Sequence, residues 1–461
     1  MSARLPTSLR SMADLETLAG LAGGTLRGAN APVARVATDS RDVQPGDLFV
    51  ALKGERFDGH DYVRRALDLG ASGALVAREV PGATHVILVD DTRLALGRMA
   101  AGWRARFPLP LVALTGSNGK TTVKEMLAAI LRAHAGSPEA VLATEGNLNN
   151  DIGMPLTLLK LREAHRYAVI EMGMNHEGEI DYLTRLARPT VALVNNAQRA
   201  HVGILGSLEA IARAKGEIYA GLSASGTAIV NEDDPYASYW RGLNTGRRVV
   251  GFGLAPRATV HAERDGNQAR ITTPLGQVQV VLQVAGDHNL CNAAAACAAA
   301  HALEIPLEAM RAGLASFAGV PGRLQRRRAK QGGGWVIDDS YNANPESMKA
   351  ALDVLAAEPG RRVFVMGDMG EMGEQSEPLH AEVGAHARSR GIDAFFTLGQ
   401  ASRRAADAFG PDAQAFDDVE ALIAAARRES LAGATVLVKG SRFMRMERVA
   451  DALATEDRDA A

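Results

Sequence analysis

Short apolar runs rich in strand-forming residues recur along the chain, and most are followed by stretches whose apolar positions repeat every three or four residues. A run that is hydrophobic throughout suits a strand buried on both faces, and the longer repeat suits an amphipathic helix. Residues 48–52, 111–114, 167–171, 190–196, 335–339, 363–366, 394–398 and 435–438 are therefore predicted strands. Strand and helix alternate from residue 111 to about 320, as in a mostly parallel sheet covered on both faces, and again from Trp335 onward. The first hundred or so residues instead mix short strands and helices with turn signals such as Gln44-Pro-Gly-Asp47. Phe107-Pro-Leu-Pro110, a candidate hinge, and Phe317-Ala-Gly-Val-Pro-Gly322 break the pattern. The expectation is an α/β protein of three domains: a small mixed α/β unit over 1–107, a central mostly parallel unit over 108–320, and a C-terminal Rossmann-like open sheet over 321–461.

Composition adds limits. A chain of 461 residues exceeds what one core supports, which agrees with three units. Hydrophobic content of 47% with 23% charged residues is that of a soluble globular protein, and a formal charge of -2 gives no bulk attraction for nucleic acid. Met1 to Leu15 carries Arg4 and Arg10 but no apolar core of signal-peptide length, and the alanine-rich stretch 293–300 is too short and too weakly hydrophobic to span a bilayer. Cys291 and Cys297, six apart on one apparent helix, fit neither a zinc site nor a disulfide framework and read as small core residues. A reducing cytoplasm and no membrane span are expected.

Three stretches carry candidate chemistry. The strand at 111–114 runs into Thr115-Gly-Ser-Asn-Gly-Lys-Thr-Thr122, and a helical pattern starts near Lys120. Gly116 and Gly119 let the backbone curl so that N–H groups, including those of Ser117 and Asn118, point at one anion. The helix dipole and Lys120 add positive charge, and Thr121, followed by Thr122, sits where such loops hold magnesium. The general pattern asks for a glycine where Leu114 stands, so this is a compact P-loop variant. Lys53-Gly-Glu-Arg-Phe-Asp-Gly-His-Asp61 suits either a solvated loop or an anion site. Lys215 lies on the apolar stripe of a helix over 207–222, capped by Ser207. It either snorkels or meets a carboxylate, unless Glu171 and His201, at or just after two strand ends, make a metal site with it. The run Arg323-Leu-Gln-Arg-Arg-Arg328 reads by default as solvated surface, and Asn344-Pro345 as a helix cap and first turn.

Taken together these motifs resemble the ATP-dependent Mur ligases of peptidoglycan synthesis, over nearly the whole chain. The segment from Thr38-Asp-Ser-Arg41 through His60 is similar to that family's uridine-nucleotide domain, which implicates Ser40 and Arg41 in substrate binding. The glycine loop matches its ATP loop, including the shortened spacing. Glu145-Gly-Asn-Leu-Asn-Asn150 resembles the segment facing the muramoyl substrate, implicating Asn149 and Asn150. Glu171, His201 and Ala214-Lys-Gly-Glu-Ile-Tyr219 line up with a second-magnesium region. Gly286-Asp-His-Asn-Leu-Cys-Asn292 resembles the adenine side, with Asn289 and Asn292, and Gly322-Arg323 the arginine near the terminal phosphate; Asp339 falls at the ribose. In the last domain Asp339-Ser-Tyr-Asn-Ala-Asn-Pro-Glu-Ser347, Gly367-Asp-Met-Gly-Glu-Met-Gly373 and Lys439-Gly-Ser-Arg-Phe-Met-Arg-Met-Glu447 resemble the branch that adds D-alanyl-D-alanine to a UDP-N-acetylmuramoyl tripeptide. The Asp-Asn-Pro-Arg signature of the diaminopimelate-adding branch is absent.

The resemblance implies ATP and two magnesium ions, with metal ligands Thr121, Glu171, His201 and a Lys215 carbamylated by carbon dioxide. It further implies a substrate carboxylate activated as an acyl phosphate, with Lys120 and Arg323 neutralising the transferring phosphoryl group. Tyr341, Asn342 and Asn344 are candidate dipeptide contacts by position, and a monomer is expected. The competing readings are another amide ligase of the superfamily, such as a folylpolyglutamate synthase, and an ATP-binding switch that ligates nothing. Residues 38–60 and the 341–344 loop speak against the first, and the set Glu171, His201 and Lys215 against the second.

Overall fold

A computed structural model describes residues 11–455, so Arg4 and Arg10 of the N-terminal stretch lie outside the described residues. Among the described residues three large sheets follow one another, beside a two-stranded pair of Ala13–Asp14 with Pro32–Val33. The first has five strands in the order Thr25–Arg27, Val86–Leu88, Gly73–Val76, Asp47–Val50 and Arg35–Ala37, parallel except for its first pair. In the second, nine-stranded sheet, Leu111–Thr115 lies between Val191–Val194 and Tyr167–Glu171, parallel to both. The third has six strands, Thr435–Lys439 and Arg362–Gly367 at its middle, Trp335–Asp339 next to Thr435–Lys439, and an antiparallel edge strand Gln325–Arg328. The expected α/β architecture holds.

Three details depart from the sequence reading. Val260–Asp265, Gln268–Thr273 and Gly276–Val280 extend the central sheet as an antiparallel meander, which the pattern of fully apolar runs does not reveal because these strands alternate buried and exposed residues. The helix around Lys215 is α-helical only over Leu208–Gly216 and tightens to a 3-10 helix over Glu217–Gly221, where Thr184 Oγ1 donates to Ile218 O at 2.7 Å. A Cβ on Gly221 would meet the Thr184 carbonyl at 2.4 Å, so glycine permits this close approach. The Arg323–Arg328 run is not a solvated face: Arg326 and Arg328 stack over the Trp335 ring at 4.2 and 3.9 Å, and Arg327 donates to Asp451 at 2.6 Å.

The two junctions between the sheets differ. One continuous apolar cluster runs from Leu15 and Leu48 of the first unit through Trp103 and Leu111 to Trp240 of the second. Trp103 Nε1 donates to Leu161 O at 3.1 Å, and Gly97 lies so close to Tyr182 that a Cβ would sit 2.1 Å from its hydroxyl. The 107–110 segment is pinned: Arg104 donates to the carbonyls of Leu109 and Ala187, each at 3.1 Å, and Phe107 packs edge-on against Trp103.

The second and third units meet through polar groups. Arg199 donates to Glu346 at 2.5 Å and to both carboxylate oxygens of Glu382 at 2.8 and 2.9 Å, and Lys349 also pairs with Glu382. Val202 of the central unit packs on one of the third unit's apolar clusters. Among the described residues no helix is long and apolar enough to cross a membrane. Burial pushes the Cys291 and Cys297 thiols up to about 12, in keeping with core residues.

Candidate active site

The glycine loop sits at the carboxyl end of strand Leu111–Thr115, the place where open α/β sheets collect ligands. Helix Lys120–Ala135 begins at Gly119, whose φ of 78° is left-handed. A Cβ there would fall 2.4 Å from Asn292 Oδ1 and 2.5 Å from Asn195 Nδ2, so only glycine serves. The polar strand end at 195–198 builds the loop's shape: Ser117 N donates to Asn196 O at 3.0 Å, Ser117 Oγ to Gln198 O at 2.8 Å, and Asn118 N to Asn196 Oδ1 at 2.9 Å. Lys120 Nζ donates to the loop's own Gly116 and Ser117 carbonyls at 2.7 and 3.3 Å. Burial lowers its pKa, an effect the Glu171 charge opposes.

Glu171 ends its strand inside the molecule, 2% exposed. Thr121 Oγ1 donates to its Oε2 at 2.9 Å and Asn149 Nδ2 to its Oε1 at 2.8 Å. Arg323 Nη2 in turn donates to Thr121 Oγ1 at 2.9 Å, and its plane lies over the Tyr341 ring at 4.3 Å. Lys215 is also 2% exposed, and among the described residues no hydrogen bond or ion pair reaches its amine. Burial first, then the charge of Lys120, hold that amine well below the ordinary lysine range.

Lys120, Glu171, His201, Lys215 and Arg323 all line one cavity of about 1210 Å³ between the second and third sheets. Ser117, Asn118, Gly119, Thr122 and Asn149 line it from the central unit as well. Asn289 and Asn292 reach it from helix Asp287–Ala302, where Asn292 Oδ1 accepts from Asn195 at 3.0 Å. Asp339, Tyr341, Asn342 and Asn344 close it from the third unit. Asp339 accepts from Lys439 Nζ at 2.6 Å and from Leu324 N at 3.1 Å, while Asn344 caps helix Pro345–Ala356 and exchanges two amide hydrogen bonds with Asn118, at 3.1 and 2.8 Å. Asn195 Oδ1 and Arg323 Nε are buried without a hydrogen-bond partner among the described residues, two polar atoms that a bound ligand can satisfy.

Other candidates lie elsewhere. Arg41 is exposed in the first unit and is bonded to Asp39, whose carboxyl it holds down at about 2; Ser40 sits beside it, away from the cavity. Asn150 turns its Oδ1 to the backbone N–H of Gly153 at 2.8 Å, as a turn cap. Gly116 and Thr121 do not line the cavity, and Thr121 reaches it through Glu171.

Sequence reasoning missed Gln198, Arg199, Glu371 and the role of Lys439. The Lys439 and Glu371 motifs were visible but carried no geometry, and Arg199 gave no signal because its partners are 147 and 183 residues away. His201 lines the same cavity as Glu171, and its Nδ1 lies 2.5 Å from Oε2 of Glu371, a carboxylate of the third unit that His201 holds below its ordinary range.

Comparison with known proteins agrees with this layout. Three family models match in succession: the Mur ligase family catalytic domain over residues 32–104, the Mur ligase middle domain over 114–300, and the Mur ligase glutamate ligase domain over 322–442. The UDP-N-acetylmuramoyl-tripeptide--D-alanyl-D-alanine ligase of Escherichia coli (strain K12) is 44% identical over 452 residues, covering 95% of this chain and 98% of the relative. A crystal structure of MurF from Acinetobacter baumannii superposes with a TM-score of 0.89 at 37% identity, covering 96% and 98% of the two chains. The MurF ligase of Thermotoga maritima in complex with ADP gives a TM-score of 0.78 at 29% identity, with 90% and 96% covered. The chain belongs to the Mur ligase family.

Proposed function

We propose that the chain is an ATP-dependent amide ligase of class 6.3.2.10. It joins D-alanyl-D-alanine to the terminal carboxylate of a UDP-N-acetylmuramoyl tripeptide, giving the pentapeptide precursor of peptidoglycan, ADP and phosphate. The carrying observation is the gathering of the phosphate loop, Glu171, Lys215 and Arg323 in one cavity closed by the Asp339–Asn344 loop. It occurs in a chain aligned over 95% of its length with the Escherichia coli UDP-N-acetylmuramoyl-tripeptide--D-alanyl-D-alanine ligase.

Amide formation from a carboxylate needs an activated acyl group, and two anions must approach for the substrate carboxylate to attack the terminal phosphate of ATP. The Lys120 amine, already near Gly116 and Ser117, and the Arg323 guanidinium meet the phosphates from two sides and lower that repulsion. In this reading Asn289 and Asn292, bonded to each other, would face the base, and Asp339, held by Lys439, the ribose. The incoming amine then attacks the acyl carbon, and the tetrahedral intermediate expels phosphate.

The site's own donors bear on magnesium. Among the described residues no three His, Cys, Asp or Glu side chains gather as a ligand cluster, so the expected set of Thr121, Glu171, His201 and Lys215 is short of anionic oxygen. The buried Lys215 amine, whose charged form is disfavoured by burial, would supply it on reacting in its neutral form with carbon dioxide: the nitrogen lone pair forms the N–C bond as a C–O π bond opens, one proton leaves, and a carbamate remains. Two magnesium ions bound there would neutralise charge on the phosphoryl oxygens. The same reading places the chain in the cytoplasm, where its nucleotide substrates are made, as a monomer.

The test is phosphate release with ATP, magnesium and UDP-muramoyl tripeptide across a panel of amines. Release is expected with D-alanyl-D-alanine and at most weakly with glutamate or diaminopimelate; equal rates across the panel, or none at all, refute the reading. Lys215→Ala is expected to abolish turnover, with partial recovery on adding short carboxylates.

A further inference from the structure

Arg323 is held differently from the arginines that follow it. Arg326 pairs with Glu358 at 3.0 Å and Arg327 with Asp451 at 2.6 Å, whereas among the described residues no carboxylate pairs with Arg323. Its guanidinium lies instead 4.3 Å over the Tyr341 ring, and Arg442 stands 5.7 Å from the same ring. A carboxylate would occupy the in-plane N–H donors and cancel the charge. An aromatic face grips the flat side of the guanidinium, so its edge stays free to donate.

That edge is turned toward the phosphate loop. Nη2 reaches Thr121 Oγ1 at 2.9 Å, and Nε is buried with no hydrogen-bond partner among the described residues. The charge also reaches Lys120, where it adds to burial in lowering that amine's pKa, against Glu171. The backbone fixes how ring and guanidinium meet: Tyr341 N donates to Gly322 O at 3.0 Å, and Leu324 N to Asp339 Oδ1 at 3.1 Å. Gly322 and Leu324, on either side of Arg323, have left-handed φ values of 70° and 51°. Leucine adopts that conformation rarely, so the turn that carries Arg323 is one its surroundings hold. Among the described residues no hydrogen bond reaches the Tyr341 hydroxyl, which leaves the ring face as its contact.

We propose that Tyr341 is a positioning residue for Arg323: its ring holds the guanidinium by the face and leaves the edge donors free for the terminal phosphate of ATP. The role differs from the dipeptide contact expected of Tyr341 by position. The inference rests on the phosphate role proposed for Arg323, and its first readout is nucleotide binding, which needs no turnover.

That readout is calorimetry on the full chain with ADP and with the non-hydrolysable triphosphate adenylyl imidodiphosphate, each with magnesium. Arg323→Ala is expected to weaken the triphosphate by about 10- to 100-fold, as loss of a charge-assisted contact does. Tyr341→Leu is expected to weaken it by about 3- to 10-fold while ADP stays within about 2-fold, and Tyr341→Phe, which keeps the ring, should recover most of the loss. The Tyr341→Leu, Arg323→Ala double variant should bind the triphosphate no more weakly than Arg323→Ala alone. In turnover, Tyr341→Leu is expected to lower kcat by roughly 10-fold with KM for the dipeptide little changed. Equal weakening of both nucleotides by Tyr341→Leu overturns the proposal, because a general disturbance of the fold has that effect. Unchanged triphosphate affinity in Tyr341→Leu or in Arg323→Ala overturns it too, as do additive losses in the double variant. A raised KM for the dipeptide with both nucleotide affinities intact returns Tyr341 to the dipeptide. Absence of ligase activity in the wild type refutes the proposed function and leaves the nucleotide affinities to decide this point by themselves.

Discussion

The first and second units share a core, whereas the second and third share a set of charges. Apolar burial is short-ranged, is not screened by salt and does not titrate, so the junction built on Trp103, Leu111 and their neighbours behaves as the interior of one body. Ion pairs between partly exposed groups, such as Arg199 with Glu346 and Glu382, are weak and screened, and they can separate without exposing much apolar surface. The cavity lies at the second kind of junction, so its walls come from parts that can part and rejoin, as an enzyme that must admit three substrates requires.

The largest effect is expected at the first junction. Trp103→Ala removes a side chain that is 4% exposed and is expected to cost about 3–5 kcal/mol in denaturant unfolding, with the first and second units lost in one transition. Separate transitions would show that the shared core is not cooperative. Next is Gly203→Ala, whose added Cβ must push the Glu371–Gly373 backbone away. Activity is expected to fall about 100-fold while the unfolding of the first two units stays put, because a displacement near 1 Å in a reacting assembly has that size of effect.

The smallest effect is a pH dependence confined to the second junction. Arg199 first, then Lys349, hold the Glu382 carboxyl at about 2, below its ordinary 4.5. Its contribution is therefore complete above the ordinary value and is lost as pH falls from 4.5 toward about 2. Small-angle scattering is expected to show the third unit separating on acidification, or on raising salt, before any loss of the first junction. Simultaneous failure of both junctions would remove the contrast.

The sequence disclosed the parts of this layout that are local. Buried parallel strands read as apolar runs, and the loop from Gly116 to Thr122 carries its purpose in its own residues. Lys215 on an apolar stripe was visible as an anomaly, though the lowering of its pKa depends on burial and on Lys120, which lies on another helix. The antiparallel meander escaped because a half-exposed strand has no apolar run, and the second junction escaped because Arg199 looks like any surface arginine until the chain folds 183 residues onto it. Contacts between units are written in pairs of residues, and neither member announces the other.

Asn344 shows the reverse, one residue bearing two messages. Its Oδ1 accepts from Ser347 N at 3.0 Å to start a helix, and the same amide both gives and takes a hydrogen bond at Asn118 of the phosphate loop. Serine, threonine or aspartate can spell the helix start equally well, but each lacks the amide's paired donor and acceptor at that reach. The position is thus overdetermined: a substitution that leaves the fold's grammar intact still erases the word by which the third unit reads the loop.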